Sequence, residues 1–256
     1  MQIQHVRSKW AKTNALLADS HMKRFVPATR RFSRQNVKKM LDEYGLVYVK
    51  PVNGTFGNGV IRVEKQDGEE ELSYVLQSGV RIYRYPSFDP LYRKLLAVKL
   101  RKPYLAQQGI ELLKYARRRF DLRVMVQKNP KDEWETTEMI GRLAHPRKIV
   151  TNYHSGATPM TVEKLLGPHM DRRQLDGFRK DLNKLGVSAA EALENIFPKV
   201  KEIGVDVAID GRKKMWVLEV NTMPDPFLFR RLPDRAVFSK IYRYAVRYGR
   251  FRRRTG

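Results

Sequence analysis

Residues 204–221 read GVDVAIDGRKKMWVLEVN, two alternating runs with a turn between them. Val205, Val207 and Ile209 alternate with Asp206, Ala208 and Asp210; beyond the turn, Trp216, Leu218 and Val220 alternate with Val217, Glu219 and Asn221. Strand side chains point to opposite faces in turn. The pattern therefore predicts Asp206 on one face of the first strand, and Glu219 and Asn221 sharing a face of the second. Asp210-Gly211 is a hairpin-turn dipeptide, and a short basic loop there folds the second strand back on the first. The three side-chain oxygens then meet above the sheet. Two carboxylates and an amide are hard donors of the kind Mg²⁺ takes while keeping positions for water and substrate phosphates. The same spacing also suits an ordinary hairpin whose alternate polar residues face water.

A second cluster lies upstream. Leu46-Val47-Tyr48-Val49 reads as a strand and Val60 to Glu64 as another, with Lys50-Pro51-Val52-Asn53-Gly54-Thr55-Phe56-Gly57-Asn58-Gly59 between them. A lysine at a strand end offers a point charge to phosphate oxygens, and glycines let backbone N–H groups approach a polyphosphate closely. The setting is strand-loop-strand, and no GxxxxGK[ST] occurs, so this reads as a hairpin flap rather than a Walker or Rossmann loop. A glycine-rich loop alone is equally a plain turn; paired with the downstream oxygen set it is far more specific.

The order of parts matches a family. A strand lysine, a glycine loop, a hinge segment, an Asp-x-Arg strand, an Arg strand and a final Asp…Glu-x-Asn together resemble the ATP-grasp proteins. FDLRVMV at 120–126, IGRL at 140–143 and TNYHSG at 151–156 are similar to the branch containing glutathione synthetase and the ribosomal-protein glutamate ligases. YVKPVNGTFGNG, FDLRVMVQKN, TNYHSGATPM and VLEVNTMPDPFLF resemble the YheC/YheD group of spore-coat-associated bacterial ATP-grasp proteins. The resemblance covers nearly the whole chain.

It implies an α+β fold of two lobes with ATP and Mg²⁺ between them, two ions being expected and Mn²⁺ an alternative. Glu219 is expected to bridge the ions, with Asp206 and Asn221 each completing one site. Lys50 is expected on the α- and β-phosphates under the loop of Asn53, Gly54, Gly57 and Gly59. Lys12 is either the second phosphate lysine of the family or a surface lysine. Gln107, Gln108, Gly109, Ile110 and Glu111 form the expected hinge, meeting the adenine edge with backbone groups and the ribose with a carboxylate. Val49, Ile110, Met125 and Leu218 either sandwich the base or are plain core. Arg142 is the expected stabiliser of phosphoryl-transfer charge, and Arg123 either shares that role or pairs with Asp121 or another internal acid. Asn152, His154, Ser155 and Gly156 belong to the expected substrate loop; His154 is either a general base or an ordinary loop residue. His145 and His169 show no metal spacing. In such ligases a substrate carboxylate attacks the γ-phosphate and an amine or thiol captures the acyl-phosphate.

Two departures stand out. The family loop often has two glycines where this chain has Gly156-Ala157, and residues 1–45 are too short for the N-terminal α/β domain that usually helps to bind the acceptor.

Composition bounds the partners. The 256 residues are 42% hydrophobic, which excludes a disordered chain. No apolar run approaches the roughly 20 residues of a membrane span. Met1 to His5 lacks a signal-peptide stretch, so export by that route is not expected and a cytoplasmic location is, to which the resemblance adds association with the spore coat. The absence of cysteine excludes disulfides, thiolate metal sites and a cysteine nucleophile.

With 51 basic and 27 acidic residues the net charge is +24, which draws the protein toward polyanions. The excess gathers at Arg81, Arg84, Arg93, Lys94, Lys99, Arg101 and Lys102, and in Ala236 to Gly256, where Lys240, Arg243, Arg247, Arg250 and Arg254 recur at helical spacing with Tyr244, Tyr248 and Phe251 on another face. The expected substrate is an acidic small molecule, peptide or polymer. Alternatives are a spore-coat structural or polyanion-binding protein, with spore-coat proteins or nucleic acid as partners, and a kinase on the same fold.

The expected organisation is a helical, turn-rich segment (1–45), a small antiparallel-sheet lobe with one covering helix (46–104), a larger lobe holding the metal site (105–235) and a basic C-terminal helix or tail (236–256). Within the larger lobe the arginine-rich stretch after the hinge is expected as helix or loop, followed by strands 121–127 and 136–143, helices between 168 and 203, and the hairpin.

Overall fold

The computed structural model describes residues 3–67 and 72–252. The two runs expected as strands on either side of the glycine loop form β2 (Leu46–Pro51) and β3 (Ile61–Asp67), and the small antiparallel sheet continues in β4 (Leu72–Ser78) and β5 (Arg81–Tyr85). Two short strands, β1 (Thr29–Arg31) and β6 (Tyr104–Gln108), extend this antiparallel sheet to the order β1-β6-β2-β3-β4-β5. The first two residues of the segment read as a hinge, Gln107 and Gln108, thus end a strand beside β2, pairing Tyr48 with Gln107, and Gly109 to Glu111 follow it outside the strand.

Two helices cover this sheet rather than one. Ser33 caps α2 (Arg34–Tyr44) by accepting the Asn36 N–H at 3.1 Å, and α3 (Phe88–Val98) follows β5. Val37, Met40 and Leu41 of α2 pack with Phe88, Leu91 and Leu95 of α3 against Val47, Val49, Ile61 and Leu76. By contrast α1 (Lys9–Ala18) buries Ala15 and Leu16 in the other lobe. The first 45 residues therefore divide between both cores, and a boundary after residue 104 cuts β6.

The larger sheet has the order β10-β9-β8-β11-β12, with β7 beside β8. Its strands are β7 (Lys114–Tyr115), β8 (Arg118–Lys128), β9 (Trp134–Leu143), β10 (Thr158–Met160), β11 (Glu202–Ile209) and β12 (Met215–Asn221). The arginine-rich stretch is a tight β7–β8 hairpin, with Ala116 and Arg117 at positive φ, and not a helix.

The short α4 (Val162–Leu166) and the long α5 (Arg172–Glu194) cover one face; α5 starts at a capping box of Asp171 and Gln174. Phe120, Leu122, Val124 and Val126 of β8 lie in the core on that side. Burying each such side chain is worth about 1.5–3 kcal/mol. A one-residue slip would exchange them for Asp121 and Arg123, so the apolar set fixes the register that turns those two toward the cleft.

The opposite face carries a 3₁₀ turn at Pro226–Arg231 and α6 (Arg235–Arg247), whose Leu228, Phe229 and Ile241 pack on Met125 and Ile140. The C-terminal helical face expected from Lys240 to Arg254 ends early. Gly249 turns the chain at φ 83°, Lys240 pairs with Glu135, and Arg250 folds inward onto Glu202. Arg254 lies outside the described residues. No helix among the described residues is long and apolar enough to cross a membrane.

Candidate active site

A cleft of about 890 Å³ separates the two sheets. Its floor comes from neighbouring strands of the larger sheet. β8 and β11 pair Arg123 with Asp206, and β11 and β12 pair Asp206 with Glu219, so these side chains emerge side by side. Period-2 alternation fails at one point in β12. A bulge leaves Leu218 without a partner on β11, so Val217 enters the core opposite Val207 while Leu218 lines the cleft. Glu219 and Asn221 keep the expected face; Val217 does not share it.

The floor is a network of charges. Arg123 Nε donates to Asp206 Oδ1 at 2.6 Å. Arg142 donates from Nε and a terminal nitrogen to both oxygens of Asp121, at 2.8 and 2.5 Å, and lies 3.1 Å from Asp206. Thr151 donates to Asp121 at 2.6 Å. The acid that Arg123 pairs with is therefore Asp206, and Asp121 belongs to Arg142. Burial alone would raise the Asp206 pKa, but the two guanidiniums outweigh it and hold the carboxyl below its ordinary value.

Gly204 makes this packing possible: a Cβ there would lie 2.7 Å from Pro224 and 3.0 Å from the Arg123 side chain. Glu219 takes the Lys9 ammonium at 2.8 Å. The Asn221 amide, turned to satisfy both neighbours, donates to Glu219 and accepts from Arg123, each at 3.3 Å. No group of three or more His, Cys, Asp or Glu gathers among the described residues. The oxygen set here is two carboxylates and an amide, hard donors that fit Mg²⁺ or Mn²⁺ chemistry.

The roof and back wall hold the lysines. Lys50 Nζ donates to Gln107 Oε1 at 2.5 Å and to the Leu218 carbonyl at 3.2 Å. Burial brings its pKa down to about 8, and that of Lys12, a buried side chain on α1, to about 8 as well. Lys12 is therefore a cleft residue. Its neighbour on the same helix face, Lys9, was not singled out from sequence; a lysine pair spaced i, i+3 behind the Ser8 cap was the available signal. Lys9 also donates to the Gly54 carbonyl at 2.8 Å, tying α1 to the glycine loop.

Among loop residues, Asn53, Gly54 and Gly57 line the cleft. Gly59 sits at the base of the loop, where its carbonyl accepts the Tyr104 hydroxyl at 3.0 Å. The loop meets the 150–156 segment: a Cβ on Gly57 would come within 3.1 Å of Val150 and Asn152, the Phe56 ring packs against His154 with centroids 4.1 Å apart and planes tilted by 59°, and Ser155 donates to the Phe56 carbonyl at 3.1 Å. Asn152 and His154 line the cleft, and Gly156 ends the turn at φ 87°.

Gln107, Gln108, Ile110 and Leu218 line the cleft as well. Glu111 does not; its exposed carboxylate lies 3.7 Å from Arg62. Val49 and Met125 are fully buried in the two cores, which leaves Ile110 and Leu218 as the apolar walls available to a planar ligand.

Solved structures share this arrangement of two antiparallel lobes around a cleft. The D-alanine-D-alanine ligase from Coxiella burnetii superposes with a TM-score of 0.52 at 15% identity, covering 94% of this chain and 57% of that one. The carboxyaminoimidazole ribonucleotide synthase from Aspergillus clavatus, solved with ATP, gives 0.51 at 14% identity, covering 86% and 46%. The fold is the ATP-grasp fold. Residues 4–251 match the YheC/D like ATP-grasp family, and the chain belongs to it. The endospore coat-associated protein YheD of Bacillus subtilis (strain 168) is 25% identical over 87% of this chain, which spans about half (49%) of that relative's length.

Proposed function

We propose that this chain is an ATP- and Mg²⁺-dependent ligase that joins a carboxylate to an amine or thiol through an acyl-phosphate. One observation carries the reading: buried lysines, a glycine loop and a convergent oxygen-donor set face one cleft, the complement of a metal–triphosphate. Asp206, Glu219 and Asn221 would hold the metal, which supplies charge neutralisation of the triphosphate.

Lys50 and Lys12 bind phosphate oxygens; each is held in a dry wall at an energetic cost that a bound anion offsets. The backbone of Asn53 to Gly57 covers the phosphates, and the clasp of Phe56 on His154 keeps water from the transfer. Ile110 and Leu218 bracket the base while the β6 backbone meets its edge. Arg142, fixed by Asp121, keeps its position as negative charge spreads over the transferring phosphoryl group.

In the first step a substrate carboxylate oxygen bonds to the γ-phosphorus and the bond to ADP breaks. In the second an amine nitrogen bonds to the acyl carbon, phosphate leaves, and the amine proton passes to solvent. Neither step needs a protein nucleophile, which accords with a chain lacking cysteine.

The carboxylate substrate is an acidic small molecule, peptide or polymer on the strength of the +24 charge, and a role at the endospore coat is proposed from the name of YheD. An ADP-release screen over carboxylates and amines tests this, with Glu219→Ala as control. Release that needs both substrates and falls at least about 100-fold in the variant is expected. Failure to bind MgATP or to release ADP with any pair, with Glu219→Ala indistinguishable from wild type, rejects it.

A further inference from the structure

Beyond the metal-end carboxylates the cleft runs into a patch of aromatic and basic side chains. Phe227, Phe238, Tyr242 and Phe251 form a closed ring of contacts. The centroids lie 5.8 Å apart for Phe227–Phe238, 5.8 Å for Phe238–Tyr242, 5.2 Å for Tyr242–Phe251 and 6.0 Å for Phe227–Phe251. Arg230 lies over both Phe227 and Phe238, 4.8 and 4.5 Å from their centroids, and Arg250 lies over Phe251 at 5.0 Å. Phe227, Phe251, Arg250 and Arg7 also line the cleft, so patch and cleft are continuous. Arg7 reaches this corner because the Thr222 hydroxyl accepts the Val6 N–H at 2.9 Å, holding the N-terminal segment beside Asn221.

The charge here is unbalanced. Each carboxylate lining the cleft already has a partner: Asp121 and Asp206 face arginines, Glu219 faces Lys9, and Asp225 lies 3.7 Å from His154 and accepts the Phe227 N–H. Among the described residues no carboxylate pairs with Arg7 or Arg230. Partial burial first, and then the charges of Lys12, Arg7 and Arg250, lower the pKa of His5.

We propose that this aromatic–arginine wall, braced from behind by Arg250 in the hold of Glu202, docks an acidic peptide, whose side-chain carboxylates engage the exposed Arg7 and Arg230 while one of them is presented at the Glu219 end of the cleft. The proposal rests on the ligase reading for its last clause. A peptide fits better than nucleic acid because bases stack on open aromatic faces, whereas here Tyr242 and Phe251 stack on each other at 12° and Arg230 lies over the faces of Phe227 and Phe238. An arginine held flat on a ring keeps its N–H edges outward, and those edges match the two oxygens of a carboxylate.

The test uses the whole chain with MgATP and fluorescent hexaglutamate, read by anisotropy, with hexathymidylate as a second polyanion. The double variant Arg7→Gln/Arg230→Gln changes two exposed side chains, and circular dichroism checks its fold. Hexaglutamate affinity is expected to fall roughly tenfold or more, with binding of a fluorescent ATP analogue within about twofold of wild type. Arg7→Lys/Arg230→Lys, which keeps charge but loses the fork, is expected to fall between the two.

Wild type that fails to hold hexaglutamate, a double variant that holds it equally well, or tighter hexathymidylate binding lost in the same variant overturns the proposal. Peptide capture that depends on the arginines in a protein unable to bind ATP keeps the docking surface and removes the ligase reading. ATP turnover without peptide capture does the reverse.

Discussion

Two polar clusters sit on the same face of the same pair of strands and behave in opposite ways. In the first, β8 and β11 bring Arg123 beside Asp206, with Arg142 and Asp121 adjoining. In the second, four residues further along, the same strands pair Gln127 with Glu202, which meets Tyr248 and Arg250. Met125 and its apolar neighbours under α6 lie between them.

Asp206 faces two guanidiniums and its pKa is held down; Glu202, 0% exposed, faces one, and burial prevails, pushing its carboxyl up to about 7. The first cluster opens on the cleft, where a ligand can join the charges. The second is closed by the end of α6, and Gln127 spends its amide on the Ile241 carbonyl at 3.1 Å and the Tyr248 hydroxyl at 2.5 Å. Buried charge alone does not mark a site; an open side and donors left for a ligand do.

That contrast breaks if exchanging equivalent truncations gives similar results. Glu202→Ala leaves Arg250 and Tyr248 without their acceptor in a dry setting, and at pH 8 should cost about 3–5 kcal/mol in urea unfolding, with MgATP affinity within about twofold. Glu219→Ala removes a half-buried partner of Lys9 and should cost no more than about 1 kcal/mol while ADP release collapses. Loss of MgATP binding in Glu202→Ala with stability intact would dissolve the distinction between the clusters.

The pH dependence sharpens it. Glu202 has a folded pKa near 7 against an ordinary 4.5. The folded state therefore holds more protons between those values, and this group's contribution is full below about 4.5 and is lost as pH rises through 7. At roughly 1.4 kcal/mol per unit, the loss approaches about 3 kcal/mol. Glu202→Gln should flatten that slope: its stability relative to wild type improves from pH 5 to pH 8 in parallel denaturant titrations. A difference that stays constant across the range would place the Glu202 carboxyl in a more polar setting.

The two regions also differ in how far they could be read from sequence. The cleft-facing oxygens of Asp206, Glu219 and Asn221 were legible only together with Lys50 and its glycine loop, since their spacing alone also suits an ordinary hairpin. Lys12 was visible but ambiguous, since only the docking of α1 on β12 decides whether a helix lysine faces cleft or water. The bulge at Leu218 was not visible: period-2 reading assigns Val217 the face of Glu219, and only pairing with Val207 shows otherwise. β1 and β6 are too short to carry a pattern of their own, and they become strands through each other and β2. The second cluster was hidden for another reason. Helical periodicity placed Arg250 on a basic face with Lys240, Arg243 and Arg247, and the turn at Gly249 that brings it onto Glu202 gave no signal beyond a single glycine.

The smallest expected effect isolates the hydroxyl at the centre of the closed cluster. Tyr248 donates to Glu202 Oε2 at 2.6 Å and accepts from Gln127 at 2.5 Å. Burial, then the charge and hydrogen bond of Glu202, raise its own pKa, so it stays a protonated donor. Tyr248→Phe keeps the ring and removes one donor and one acceptor, and should cost about 1–2 kcal/mol at pH 8, where Glu202 is ionised and the bond is charge-assisted. At pH 5, where the carboxyl carries its own proton, the cost should shrink toward about 0.5–1 kcal/mol. Combining Tyr248→Phe with Glu202→Gln in a double-mutant cycle tests whether the two act through each other. Coupling that disappears at pH 5 fits a carboxylate titrating inside a sealed pocket, whereas coupling equal at both pH values would mean that Glu202 remains ionised throughout, as Asp206 does at the open end of the same strand.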